Sequence, residues 1–180
     1  VLFRSGIAAE WQIDPAMLGI VLSMELLGMA AGSILIGNLA DRVGRHPTIL
    51  SCLIVMTAGM FAAAFANQIW LLSGARLLTG LGIGGMIAST SAMVAEFSNN
   101  KRRDLVVALN IAGYTLGVVV GGAIVSTLIS QMDQWRSVFL FGGVITALAI
   151  PLVFFYLPES IESLLARRPA GALDRINATL

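Results

Sequence analysis

Two charged residues of this 180-residue chain lie inside long apolar stretches, where an ionised side chain is costly. Glu25 falls near the middle of one stretch and Arg76 near the beginning of another. A carboxylate at that depth is typical of a substrate pathway or a proton relay, and an arginine there needs a polar or anionic neighbour. The structural alternatives are a protonated Glu25 hydrogen-bonded within a helix bundle and an Arg76 side chain that extends to the membrane surface.

A third group of charges lies in residues 37–46, which read GNLADRVGRH. The two glycines permit a tight turn between antiparallel helices, and Arg42 and Arg45 suit the negative end of the incoming helix. Asp41 can pair with an arginine or accept hydrogen bonds from a nearby helix start. A generic basic loop requires neither Asp41 nor this glycine spacing. The residues that we expect to act here are Gly37, Asp41, Arg42, Gly44 and Arg45.

Two further sets of polar residues could carry function. Glu96 is followed by a basic run that includes Arg103, which a solvated loop would also explain. Asn110 and Tyr114 are four residues apart, so on a helix they share one face and could point polar groups into a cavity. Hydrogen bonds between helices are an equally good explanation for this second pair.

Composition shows what must position these residues. The chain is 57% hydrophobic and 12% charged, with a mean hydropathy of +0.88. Soluble domains average about 45–50% apolar and about 25% charged residues, so a soluble enzyme or a disordered chain is a poor fit. The net charge of +1 is too small for capture of nucleic acid. We therefore predict an all-α integral membrane protein in a lipid bilayer.

Charge-free stretches predict five transmembrane helices, because a spanning helix needs about 20 apolar residues. Eight of the 11 lysines and arginines lie on the side of the C-terminal tail, which the positive-inside rule places in the cytoplasm. Trp11, Trp70 and Trp135 fall at the opposite ends of the spans, where aromatic rings favour the interface. The predicted spans are 15–38, 48–66, 69–95, 105–130 and 137–157, which make residues 1–157 a partial transmembrane domain, with 158–180 beginning a cytoplasmic linker.

Glycines recur at helical spacing in two of these spans, which predicts close helix packing. Leu27-Gly28 with Gly32 also matches Leu116-Gly117 with Gly121, as in the inverted repeats of transporters. The GxGxxG formed by three glycines of the third span is no dinucleotide site, because no strand precedes it. With one His and one Cys, the chain offers no catalytic or metal set, so we expect no enzyme activity, cofactor or metal. The packing glycines are Gly80, Gly82, Gly84, Gly113, Gly117 and Gly121.

Residues 37–46 resemble the signature G-x-L-A-D-R-x-G-R-basic of the major facilitator superfamily, with His46 in place of the usual Lys or Arg. The resemblance implies helices two to six of a twelve-helix transporter, with the first helix and the C-terminal half lying outside this chain. Arg76 fits the R-x-x-x-G-x-G pattern, which implies a role in substrate or proton coupling. Glu96 and Arg103 fit E-x₆-R, which implies that they join Asp41 in a network closing the cytoplasmic side.

Within the superfamily, the LPES segment at 157–160, the stretch 172–177 and the WRSVF segment at 135–139 look most like the aromatic acid/proton symporters. Val118 stands where the drug antiporters have proline. The resemblance implies proton-coupled symport of a small aromatic acid by alternating access, in the cell (inner) membrane. A sugar porter or another metabolite carrier of the superfamily is the alternative. A membrane-embedded enzyme or a structural helical bundle fits less well.

Overall fold

The computed structural model describes residues 14–98, 103–132 and 135–157, and these form five α-helices. Each helix is long and apolar enough to cross a membrane, so over the described residues the expected all-α membrane fold is confirmed. Trp11 and residues 158–180 lie outside the described residues. The helices are α1 (Pro15–Val43), α2 (Arg45–Ala64), α3 (Ile69–Phe97), α4 (Arg103–Met132) and α5 (Arg136–Tyr156).

The connection between α1 and α2 is much shorter than the loop expected at 39–47. Helix α1 runs to Val43, and Gly44 ends it with a positive φ of 103° while its N–H donates to the Ala40 carbonyl. Helix α2 begins at the next residue, Arg45. The prediction erred because apolarity reports the thickness of the bilayer, whereas a helix continues until a residue such as glycine ends it.

This shorter turn changes the setting of the charged motif. Asp41 and Arg42 belong to the last turns of α1 rather than to a loop. Gly44 takes the turn conformation that was expected of both glycines, but Gly37 lies within α1, where a β-carbon would meet Ala88 of α3 at 3.5 Å. The expectation of a turn at Gly37 is therefore wrong. The other helix ends lie within three residues of the expected spans.

Helix α3 is the central helix, with α1 packed on one side and α2 on another. On the α1 side the two backbones touch, since a β-carbon at Gly28 or Gly32 would collide with carbonyl oxygens of α3. The reverse holds for Gly80 and Gly84, whose β-carbons would collide with the carbonyl oxygens of Glu25 and Met29, respectively. Small residues permit such close approach inside a membrane, where lipid tails provide no hydrophobic drive for helices to associate.

The α2 side of α3 is almost as close. A β-carbon at Gly82 would lie 2.6 Å from Met56 Cγ and 2.9 Å from the Cys52 carbonyl oxygen. A β-carbon at Gly59 of α2 would likewise collide with the side-chain oxygen of the buried Thr79 of α3. Glycines on two faces of one helix thus hold both neighbours at short distance. Apolar contacts between α2 and α5 extend the bundle.

Helix α4 is different, because it packs lightly on α3 and α5 and most of its described side chains are exposed. Apart from the neighbouring turns of α4 itself, no described atom lies within 4 Å of a β-carbon built at Gly113, Gly117 or Gly121. The structure therefore does not bring these three glycines into helix packing. Gly121 instead lines a cavity beside Arg76.

The tryptophans at the start of α3 and α5 have opposite environments. Trp70 is 69% exposed, as an interfacial residue would be. Trp135 is 4% exposed and belongs to an apolar cluster with Leu18, Leu72 and Phe139. Trp135 lies at the start of α5, as expected, but its ring packs against other helices of the bundle. Its location at the membrane interface stays a prediction.

The backbone contact between α1 and α3 predicts an asymmetry between two glycines of α3. Gly84→Ala should lower the free energy of unfolding by about 1–3 kcal/mol, because the added methyl must push α1 away. Gly74→Ala is the matched control, since nothing lies within 4 Å of its β-carbon and alanine raises helix propensity. Thermal unfolding in detergent measures both variants. Equal unfolding temperatures for the two would contradict this packing.

Candidate functional site

The close crossing of α1 and α3 brings Glu25 and Arg76 together. Gly80 lies against the backbone of Glu25, and Arg76 is one helical turn before Gly80. The Arg76 Nη2 atom is 2.6 Å from the Glu25 Oε2 atom, and their side chains are 14% and 22% exposed. Each charge therefore has its counterion inside the bundle, which offsets much of the cost of removing both from water. Neither a lone protonated Glu25 nor an Arg76 reaching for the surface describes this arrangement.

Arg76 has two further neighbours. Its guanidinium carbon lies 5.3 Å from the centroid of the Phe139 ring on α5, which is cation–π distance. Its Nε atom is buried and has no hydrogen-bond partner among the described residues. The side chain also borders a cavity of about 440 Å³ that is mostly apolar. The cavity wall includes Met60, Arg76, Gly121, Phe139, Phe141 and Thr146.

A second ion pair lies at the end of the bundle where α1 meets α2. Arg45, the first residue of α2, donates from Nε and Nη2 to the Glu96 Oε1 atom near the end of α3, at 3.0 and 2.9 Å. The two side chains are 14% and 21% exposed. Charge-assisted hydrogen bonds of this kind are stronger than neutral ones, so the pair ties α2 to α3.

The other predicted charges of this region are only partly described. Asp41 and Arg103 lie in helical backbone, at the end of α1 and the start of α4, but their side chains are outside the described part of the structure. Arg42 is exposed in the last turn of α1, a favourable place for a cation. Of the predicted charged motif, the structure thus brings Arg45 and Glu96 together. The closing network with Asp41 and Arg103 stays a prediction.

Asn110 and Tyr114 lie along α4, where Asn110 is partly buried and Tyr114 is 54% exposed. Neither belongs to the described residues that line the cavity beside Arg76. In contrast, Phe139 contacts Arg76, and Trp135 and Arg136 follow behind it. The sequence singled out Trp135 as an interfacial residue and the segment 135–139 through a resemblance, but it assigned none of them to this site. An aromatic residue in an apolar span carries no sign that a cation will lie over its ring.

Comparison with known proteins decides the family. The sequence profile of the Major Facilitator Superfamily matches residues 1–176. This chain belongs to the major facilitator superfamily. It is a multi-pass integral membrane protein, and the relatives described below are named transporters rather than enzymes.

The related sequences of the superfamily include carriers named for aromatic acids. The 4-hydroxybenzoate transporter PcaK of Pseudomonas putida is 33% identical over 97% of this chain and 38% of that protein. A gallate transporter of the same organism is 32% identical over 95% and 38%, respectively. The gentisate transporter of Corynebacterium glutamicum is 27% identical over 87% and 36%. The chain spans between one third and two fifths of the length of these relatives.

A solved transporter structure has the same fold. The inward-open xylose transporter XylE of E. coli superposes with a TM-score of 0.69 over 89% of this chain and 42% of that protein. The sequences are 21% identical, so this likeness concerns the helical architecture.

The ion pair between Arg45 and Glu96 predicts a coupling energy in a double-mutant cycle. Arg45→Gln and Glu96→Gln should each destabilise the bundle, and the double variant should lose about 1 kcal/mol less than their sum. Thermal unfolding in detergent gives the three values. The control cycle combines Glu96→Gln with Ser73→Ala, about 35 Å away along α3. Additivity in the Arg45–Glu96 cycle, as in the control, would contradict a direct pair.

Proposed function

We propose that this chain is part of a secondary active transporter that carries a small aromatic acid together with a proton by alternating access. Its relatives with names for 4-hydroxybenzoate, gallate and gentisate support the substrate class. Coupling to a proton is supported by a carboxylate that lies far from either end of α1. The likeness to a xylose transporter concerns the fold, so a sugar is the competitor that an uptake assay must exclude.

The ion pair between Glu25 and Arg76 carries this proposal. While Glu25 is ionised, it holds the Arg76 guanidinium at 2.6 Å. A proton on Glu25 removes the negative charge, so Arg76 is left with an uncompensated cation in a site of low polarity. An aromatic carboxylate supplies the missing charge and brings a ring that suits an apolar, aromatic wall. Proton and anion thus favour each other's binding, which is the thermodynamic basis of symport.

We assign the charged end of the bundle to a gate on the cytoplasmic side. The pair between Arg45 and Glu96 ties α2 to α3 there. Asp41 lies in the last turn of α1, shortly before Arg45 in the chain. Arg103 is the first residue of α4. Helices α1 to α4 therefore each have a charged residue where they leave the bilayer. The positive-inside rule supports a cytoplasmic location for this end and for the tail, in the inner membrane. Gly37, Arg42 and Gly44 complete the gate motif.

The proposal also assigns the two parts of the chain and the polar residues of α4. Residues 1–157 form part of the N-terminal transmembrane domain in this proposal, and 158–180 begin the cytoplasmic link to the second half. Asn110 and Tyr114 offer polar groups on one face of α4. They are available to the substrate once the two halves enclose it.

An uptake assay tests the proposed function directly. The full-length gene product in proteoliposomes should accumulate radiolabelled 4-hydroxybenzoate when the outside is made acidic, and a protonophore should abolish the accumulation. Uptake of xylose is measured as the control for a sugar carrier. Chemical analysis of the external substrate, which should stay unchanged, is the control for an enzyme. Accumulation of xylose alone, or conversion of the acid without uptake, would overturn the proposal.

Glu25→Gln should separate binding from proton coupling. The amide has the shape of the carboxyl but cannot titrate, so we expect accumulation driven by the pH gradient to fall to background. Exchange of labelled for unlabelled acid across the membrane should persist, because it needs no net proton movement. Ser33→Ala is the control on α1, since its exposed hydroxyl donates to the Ala30 carbonyl of its own helix. Gradient-driven accumulation at the wild-type level in Glu25→Gln would exclude Glu25 as the proton carrier.

A further inference from the structure

A row of side chains connects Arg76 with the turn between α2 and α3. Phe139 lies under the Arg76 guanidinium, and its ring meets the Trp135 ring edge to face, with centroids 5.9 Å apart and planes at 88°. The Arg136 guanidinium carbon lies 4.5 Å from the Trp135 ring centroid. Arg136 also donates from Nη2 to the Ala66 carbonyl at 3.3 Å, just after α2 ends. Two aromatic rings in edge-to-face contact therefore lie between the guanidinium groups of Arg136 and Arg76.

Phe139 is fixed within this row. Its side chain is 3% exposed and packs in the apolar cluster that also holds Leu18 and Val21 of α1. The edge-on Trp135 ring, itself 4% exposed, limits how far the Phe139 ring can tilt. The face of Phe139 that meets Arg76 is thus presented by a rigid support. A packed support of this kind is what keeps a functional group within a narrow range of positions.

The aromatic face gives Arg76 a neighbour that does not depend on Glu25. A phenyl ring has negative potential over its face and attracts a guanidinium, most strongly where water is excluded. The salt bridge to Glu25 disappears when that carboxyl binds a proton, but the contact with Phe139 does not. Arg76 therefore keeps one fixed partner in both protonation states, with its Nε atom still without a hydrogen bond.

We propose that Phe139, supported by Trp135 and Arg136, is a positioning residue that holds the Arg76 guanidinium beside the cavity when Glu25 is protonated. This assignment rests on the proposed function, in which Arg76 receives the substrate carboxylate. A leucine at position 139 would fill similar space without attracting the cation. Arg76 would then move freely once released, and the anion would find it correctly placed less often.

The test is a series of variants at position 139 in the full-length gene product. Phe139→Leu should raise the half-saturation constant for 4-hydroxybenzoate about fivefold at acidic pH, a change expected from loss of one cation–π contact. The loss should become smaller as the pH rises, because an ionised Glu25 holds Arg76 without help from the ring, so the pH profile of uptake changes shape. Phe139→Tyr should restore both the constant and the profile. Phe61→Leu is the control, because the Phe61 ring of α2 packs near Gly143, which lies on α5 as Phe139 does.

Fluorinated phenylalanines at position 139 keep the test valid if leucine disturbs folding. Mono-, di- and trifluorinated rings retain the shape of Phe139 but progressively weaken the negative potential over its face. The half-saturation constant should rise with each fluorine while the unfolding temperature stays constant. A half-saturation constant that does not change along the fluorinated series overturns the positioning role. So does a Phe139→Leu variant that is less abundant in the membrane but has the wild-type half-saturation constant and pH profile. Absence of uptake in the wild type would instead refute the proposed function itself.

Discussion

Backbone contact between α1 and α3 is the constraint on which the rest of this bundle depends. Two glycines on each helix let main chain meet main chain, and one of them, Gly80, lies against Glu25 itself. Because Arg76 precedes Gly80 by one turn, the same crossing sets the separation of the central ion pair. A larger residue at the crossing would separate the helices and, with them, the two charges. Packing and electrostatics at this site are therefore one requirement rather than two.

Helix α3 contributes one member to each of the two described long-range ion pairs discussed above. Arg76, near the N-terminal end of α3, pairs with Glu25 of α1. Glu96, near the C-terminal end, pairs with Arg45 of α2. Glycines of α3 face both partners as well. The central helix thus combines glycine surfaces, which permit close approach, with charges whose pairing also fixes the register against each partner. The pair between Glu25 and Arg76, inside the bundle, is well suited to that purpose, because an unpaired charge is expensive there.

The sequence was sufficient to predict the five spanning helices and the family, because both depend on local signals: runs without charge and a compact motif. It did not reveal which partners meet. Glu25 and Arg76 each look isolated in the sequence, and their pairing depends on how α1 crosses α3. Equal glycine spacings also led to opposite outcomes. Gly80 and Gly84 pack against backbone, whereas Gly113 and Gly117 face no described neighbour. Spacing identifies a smooth helix face, but it does not say what covers that face.

The single-residue turn at Gly44 makes α1 and α2 mechanically dependent on each other. Helices joined by a long loop can slide separately, but here Val43 ends one helix and Arg45 begins the next. A tilt of α1 that changes the distance between Glu25 and Arg76 acts on Arg45 through this one residue, and Glu96 holds Arg45 near the end of α3. A change at the depth of the pair between Glu25 and Arg76 can therefore reach the charged end of the bundle through one glycine, without a separate messenger segment.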